Sequence, residues 1–400
     1  MAYIGFGKIN KDIIPLILSC VFCLLNRLVN CVKDVKLFTN VILTNIFVAL
    51  AHSLMIIPYI IYKIATKKCP NSNKNKEKFG CSNAPTLKTV DETSKSKYIY
   101  NNNDITKGKW KYLFIILTGL IFFINNYMFI YTIPVKSNTW TIYIVFASLF
   151  YYLFFKSKLY RHHYLSICLI LIIGVIIDVV VKSYKEDTSK KEIILKFILS
   201  IIRVILLAFN FVLIKYTMEK KYVSPYILGT FDGLINLVLF IIFAVLDHKY
   251  FHLYPDGIKY LDYFQDLDTK EILVLLGVIS TQLGLYSTIM LVDKNDSPCH
   301  IFIIFTFGQF GYYFYQNIKD VGKLIGIIIC LIFMLFFSLV FNEIIELRFL
   351  GLDYNTKRNI AERAELEVIG AMVTNSEVDA DAKSEDSIEL MDKPGENDED

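Results

Sequence analysis

Apolar residues in this chain come in long blocks that have no polar face. Leu169–Ile177 and Ile325–Val340 run without a single charged side chain. The amphipathic helices and half-buried strands of a water-soluble domain would be interrupted by polar residues every second to fourth position. In lipid every backbone N–H and C=O must be paired within its own segment, so these blocks are predicted to be helices. Runs suited to the roughly 30 Å hydrocarbon core are Ile13–Val32, Val41–Ala65, Trp110–Ile133 (closed by Pro134), Thr139–Phe155 and Tyr164–Val181. Five more follow at Ile193–Lys215, Tyr226–Leu246, Ile272–Val292, Pro298–Gln316 and Val321–Leu347. The expected fold class is therefore an all-α membrane protein with ten transmembrane helices. No small-residue cleavage site follows the first run, which is expected to stay as the first span.

The polar segments divide the chain. Lys67–Lys109 is rich in Lys, Asn, Ser and Thr and is expected to be a disordered loop. A charged connection, Lys182–Lys191, separates residues 1–181 from residues 192–347, each with five predicted spans. Five is odd, so a second copy of the unit inserts upside down relative to the first. Such inverted repeats permit alternating access to a site near the midplane. Residues 361–400 are acidic and nearly free of aromatics, which predicts a solvated tail. Lys and Arg near the spans favour both termini on the cytoplasmic side, with Lys63, Lys107, Lys156, Arg161, Lys215 and Lys220 among those counted there. Asn295-Asp296-Ser297 then falls in a cytoplasmic loop and should stay unglycosylated. Which membrane of the cell holds the chain is not legible.

Composition changes this picture little. Residues are 54% hydrophobic and the mean hydropathy is +0.46, both above what a soluble chain needs. The net charge of +4 hides basic helix flanks and an acidic C-terminus. No basic segment is interleaved with aromatics on a soluble domain, so nucleic acid is not an expected partner. Cys20-x-x-Cys23 lies inside a predicted span, where cysteine behaves as a small hydrophobe. Cys69 and Cys81 lie in the predicted cytoplasmic loop, where thiols stay reduced.

Ionisable side chains at membrane depth are costly and mark functional or paired positions. Arg203, Asp232, Arg27 and His52 are such residues. One reading has the arginines bind an anionic substrate group while Asp232 or His52 couples transport to protons. The other has Arg203 and Asp232 pair to hold neighbouring helices and His52 sit as a satisfied interior histidine. Asn45, Asn125, Asn210, Asn236, Gln282 and Gln309 are further candidates for the substrate cavity, or for hydrogen bonds between helices. Tyr143, Tyr286 and Tyr312 offer stacking faces. Gly322 and Gly326 have the small-xxx-small spacing of a helix contact, within the chain or across a homodimer seam. His162-His163 are adjacent rather than i,i+4, so they are expected to lie near lipid headgroups instead of sharing a metal. No zinc-protease, phosphate-loop or nucleophile-elbow motif is present, and neither an enzyme nor a cofactor or metal is expected.

Two stretches resemble a known superfamily. Asn125-Asn126-Tyr127 through Ile177-Asp178 resembles the nucleotide-sugar branch of the drug/metabolite (EamA-like) transporters. It has paired Asn at a helix end, a Thr139-containing helix, a basic Lys156-Ser157-Lys158-Leu159 turn, and a helix ending Ile172-Ile173-Gly174-Val175. Asn210–Leu234 carries Lys220-Lys221-Tyr222-Val223-Ser224-Pro225 and Gly229-Thr230-Phe231-Asp232-Gly233. It is similar to chloroquine-resistance-transporter-like relatives, as is Phe341-Asn342-Glu343-Ile344-Ile345-Glu346-Leu347. The resemblance covers most of Asn10–Asn359 and implies two inverted five-helix repeats and transport of an organic metabolite. Nucleotide-sugar transporters usually carry a Lys where this chain has Tyr143. The substrate class therefore stays open among nucleotide sugars, amino acids or peptides, and organic anions. The competing functional class is a multi-span receptor or scaffold that transports nothing.

Overall fold

The computed structural model describes residues 4–6, 13–30, 41–67, 109–132, 139–181, 190–221, 223–247, 268–318 and 320–347, and scattered positions from 352 to 366. The polar loop after residue 67, the charged connection at 182–189 and the acidic tail beyond 366 lie outside the described residues.

The helices are α1 (Ile13–Val29), α2 (Val41–Ser53), α3 (Ile56–Lys67), α4 (Lys109–Thr132), α5 (Thr141–Phe155) and α6 (Arg161–Val181). They continue with α7 (Lys190–Lys220), α8 (Pro225–Leu246), α9 (Thr269–Asn295), α10 (Ile301–Asn317) and α11 (Val321–Phe341). Seven stretches of helix among the described residues are long and apolar enough to cross a membrane: Ile42–Ile61, Lys111–Met128, Arg161–Val180, Ile194–Lys220, Pro225–Leu246, Thr269–Asn295 and Val321–Phe341. The apolar helices α1 and α5 have 17 and 15 residues, and α10 has 17. Large aliphatic side chains point outward, with Val175 64% and Val179 69% exposed on α6. That surface belongs in lipid, and the chain is a multi-pass membrane protein.

Among the boundaries that depart from the hydropathy pattern, three show a local change of backbone structure. The second run is broken at Leu54-Met55. Pro58 has no N–H for the Leu54 carbonyl, so Ile57 N bonds that carbonyl at 2.9 Å and Met55 N bonds His52 O at 3.1 Å. The last run stops at Phe341 rather than Leu347. Glu343 sits at φ 57° and Ile344 N returns to Leu339 O at 3.0 Å, a left-handed cap that ends the helix. Ile345–Leu347 then forms β2, which pairs antiparallel with β1 (Ile4–Phe6). The ninth run opens as a 3-10 turn, Pro298–His300, before α10.

α1 packs on α9 and α10, α7 on α4 and α5, and α2 on α8 and α9. α4 also packs on α8, α6 on both α5 and α11, and α10 on α11. The main core gathers Tyr143, Ile144, Phe211, Ile214, Phe302 and Ile303 between α5, α7 and α10. Smaller clusters join α2 to α9 through Phe47 and Val278 and α2 to α8 through Ile42 and Phe240.

Candidate functional site

α2 and α8 meet at backbone distance. A Cβ on Gly233 would lie 2.2 Å from the Ser53 amide nitrogen, so only glycine allows this approach. The contact presses the bent end of α2 against α8, and His52 and Asp232 flank it in the sequence.

Asp232 is wholly buried. Its Oδ1 lies 2.8 Å from Thr118 Oγ1 on α4, and its Oδ2 accepts from the Tyr286 hydroxyl on α9 at 3.2 Å. The Tyr286 ring stacks on His52, centroids 3.8 Å apart and planes 14° from parallel, and Phe122 closes on both rings at 5.5 and 5.7 Å. His52 is hydrogen-bonded to Gln282. One turn along α8, Asn236 Nδ2 donates to Asp232 O at 2.7 Å and to Gly119 O at 3.2 Å. Four helices (α2, α4, α8 and α9) thus converge on one carboxyl group.

Buried polar capacity is unspent, both at this centre and further along α4 and on α7. His52 Nδ1, Asn125 Oδ1 and Asn236 Oδ1 have no hydrogen-bond partner among the described residues, and neither side-chain atom of Asn210 on α7 has one. Each of these atoms is buried. An unmade bond at such a position costs about 1–3 kcal/mol, a penalty that packing alone would select against.

Of the residues expected from the sequence, the structure brings His52, Asp232, Asn236 and Gln282 together. Arg203 is elsewhere: its guanidinium lies 5.1 Å over the Trp140 ring, beside the Thr139–Ser200 hydroxyl pair at 2.8 Å. The expected pairing of Arg203 with Asp232 is not what the structure shows: the Arg203 guanidinium lies over Trp140, and Asp232 bonds Thr118 and Tyr286. Arg27 faces α10, with its Nε 3.6 Å from the Cβ position of Gly308 and its Cβ 3.4 Å from that of Gly311. It is near enough to Arg203 for the two charges to act on each other. Gln309 is buried between those two glycines in the sequence, and Asn45 is buried on α2 two turns before His52. Tyr143 is fully buried, with its hydroxyl donated to Pro298 O at 3.0 Å, so its ring packs in the core.

Other expectations change. A Cβ on Gly326 would meet nothing within 4 Å, and one on Gly322 only its neighbour Asp320. These glycines make no tight contact with the described residues. The His162 side chain is not open to lipid headgroups; it is 3% exposed. The α6 start turns both rings, centroids 4.0 Å apart, towards Glu343, whose Oε1 lies 3.3 Å from His162 Nε2 and 3.9 Å from His163 Nε2. Adjacent histidines therefore do reach one point, because the partner comes from the end of α11 and not from their own helix. The outer ring nitrogens do not suit a metal. A ligating histidine carries its proton on the outer nitrogen and donates it, yet His163 Nδ1 accepts the Tyr160 amide at 3.0 Å and His162 Nδ1 has no partner among the described residues. The trio ties α6 to α11 beside a cavity of about 420 Å³ lined by Tyr151, Lys158, Cys299 and Glu343.

Sequence reasoning missed Thr118 as a partner of Asp232, and Lys215 and Asp293 as interior residues. Compared with known proteins, the chain matches no family model and no curated relative.

Proposed function

We propose that this chain is a secondary transporter of a small organic metabolite, working by alternating access between two inverted five-helix halves. The observation that carries the reading is the polar centre around Asp232. Four helices supply it, it lies at membrane depth, and His52 Nδ1 and Asn236 Oδ1 there are buried with no hydrogen-bond partner among the described residues. A receptor or scaffold gains nothing from polar groups that cost stability there.

The packing supports the two halves. Match α1 with α7, α2–α3 with α8, α4 with α9, α5 with α10 and α6 with α11. The contact of α1 with α9 then becomes that of α7 with α4, and α1 with α10 becomes α7 with α5. Likewise α2 with α9 becomes α8 with α4, and α5 with α6 becomes α10 with α11. The pairs α2 with α8 and α6 with α11 map onto themselves. An exchange that preserves the contacts is the signature of a two-fold repeat, and the Asp232 centre lies beside one of the two self-paired contacts. The β1–β2 pairing favours an even number of crossings, since it puts residues 4–6 and 345–347 at one end. Seven long spans with α1, α5 and α10 make ten. The lysine and arginine bias places that end in the cytoplasm.

Asn210→Leu tests the reading. A ligand-binding asparagine with no hydrogen-bond partner among the described residues should be replaceable at a gain of about 1 kcal/mol or more in stability, with uptake lost. Thermal unfolding in detergent and uptake into proteoliposomes give both numbers. A destabilised variant that still transports assigns Asn210 to structure.

A further inference from the structure

Asp293 stands in the last turn of α9 and is wholly buried, and neither of its carboxylate oxygens has a hydrogen-bond partner among the described residues. The nearest cation is Lys215 on α7, itself 1% exposed. Its ammonium is already committed. It donates to the Asp293 and Lys294 carbonyls at 2.8 and 3.2 Å and pairs with Glu219 at 2.8 Å. One lysine thus closes the end of α9 against α7 and balances one carboxylate, and that carboxylate is Glu219.

A second negative charge at Asp293 would have no counter-charge of its own. Of the groups that face it, Lys215 favours a charge but is shared with Glu219, and the others do not. α7 presents Lys215 and Glu219, and Asp296 follows on its own chain. α5 presents Tyr143 and Tyr151, and Tyr286 stands two turns back on α9. The carbonyl end of a helix is also the end that repels a carboxylate. Burying an ionised carboxylate with neither a hydrogen bond nor a free cation is far costlier than burying the neutral acid.

We infer that Asp293 is a proton-binding site: a neutral carboxylic acid in this packed arrangement, and the group that loads and releases the coupling proton of transport. When the Lys215 seam between α7 and α9 parts and water reaches the carboxyl group, the O–H bond breaks. The proton leaves to water and the carboxylate stays. Reclosure requires a proton to be taken up again. The coupling half of this inference rests on the proposed transport function, and the protonation half does not.

The experiment is infrared spectroscopy of the purified full chain near neutral pH in H2O and D2O, followed by uptake driven by a pH gradient. Wild type should show the carbonyl stretch of a buried carboxylic acid, shifted in D2O. Asp293→Asn should remove a component of that band that Asp232→Asn leaves in place. Because Asn mimics the neutral acid, Asp293→Asn should fold with an unchanged melting temperature. An Asp293→Asn spectrum identical to wild type, or loss of folded protein in that variant, overturns the site. In liposomes, Asp293→Asn should keep saturable exchange and lose all stimulation by the gradient. Full stimulation in the variant overturns the coupling role. Absence of any uptake by wild type, with the band present, counts against transport alone.

Discussion

Gly233 shows how much one residue fixes here. Its missing side chain lets α8 touch the backbone of α2 beside His52, and a Cβ would sit 2.2 Å from a main-chain nitrogen that cannot swing away. Gly233→Ala should therefore destabilise the protein by about 1–3 kcal/mol, read as a lower midpoint of thermal unfolding in detergent. Gly326→Ala, whose Cβ would point into open space inside α11, should leave the midpoint unchanged or raise it slightly, since alanine favours a helix interior over glycine by about 0.5–1 kcal/mol. The sequence marks both as glycines on apolar helices and cannot rank them, because the ranking depends on which helix lies opposite. The same limit applies to Asp232. Its cost at membrane depth made it a candidate from the sequence, but Thr118 and Tyr286 are 114 and 54 positions away, and nothing in local spacing points to them.

Elements were the most legible scale. Uncharged runs become helices because lipid leaves the backbone no other way to pair its polar groups, and the helices follow the runs closely from α4 to α8. The ends were less legible. The eighth run seemed to stop at Val292, before Asp293-Lys294, yet α9 continues to Asn295 because Lys215 satisfies its terminal carbonyls from α7. Lys215 itself had been counted as a basic flank, whereas α7 extends to Lys220 and buries it. Where a helix ends in a left-handed residue the cause is again local. Lys156 closes α5 at φ 55° and ψ 30°, with its amide bonded to Tyr152 O, and its side chain is exposed. Glycine adopts that conformation without the roughly 1 kcal/mol penalty of an L side chain. Lys156→Gly should raise stability by about that amount in the same unfolding assay, and a fall would show that the lysine makes a contact worth more than the strain.

At the scale of the whole molecule, α2 packs on α8 and α6 on α11, and the Asp232 centre lies at the first of these contacts. The Glu343 clamp on His162 and His163 lies at the second. The number and order of the apolar runs were visible in the hydropathy. The crossed pairing of α1 with α9 and of α7 with α4 was not, because helices alike in composition carry no address for their partners. On the proposed function, rocking of one half against the other would open the Asp232 centre to each side in turn. The direct measurement is uptake into proteoliposomes from a pool of nucleotide sugars, amino acids, small peptides and organic anions, with Asp232→Asn and Arg203→Gln beside wild type. Saturable uptake of one chemical class by wild type, abolished by Asp232→Asn in protein that remains folded, is the expected result. No saturable uptake of any class by folded, monodisperse wild-type protein would contradict the transporter reading and leave the chain as a membrane scaffold.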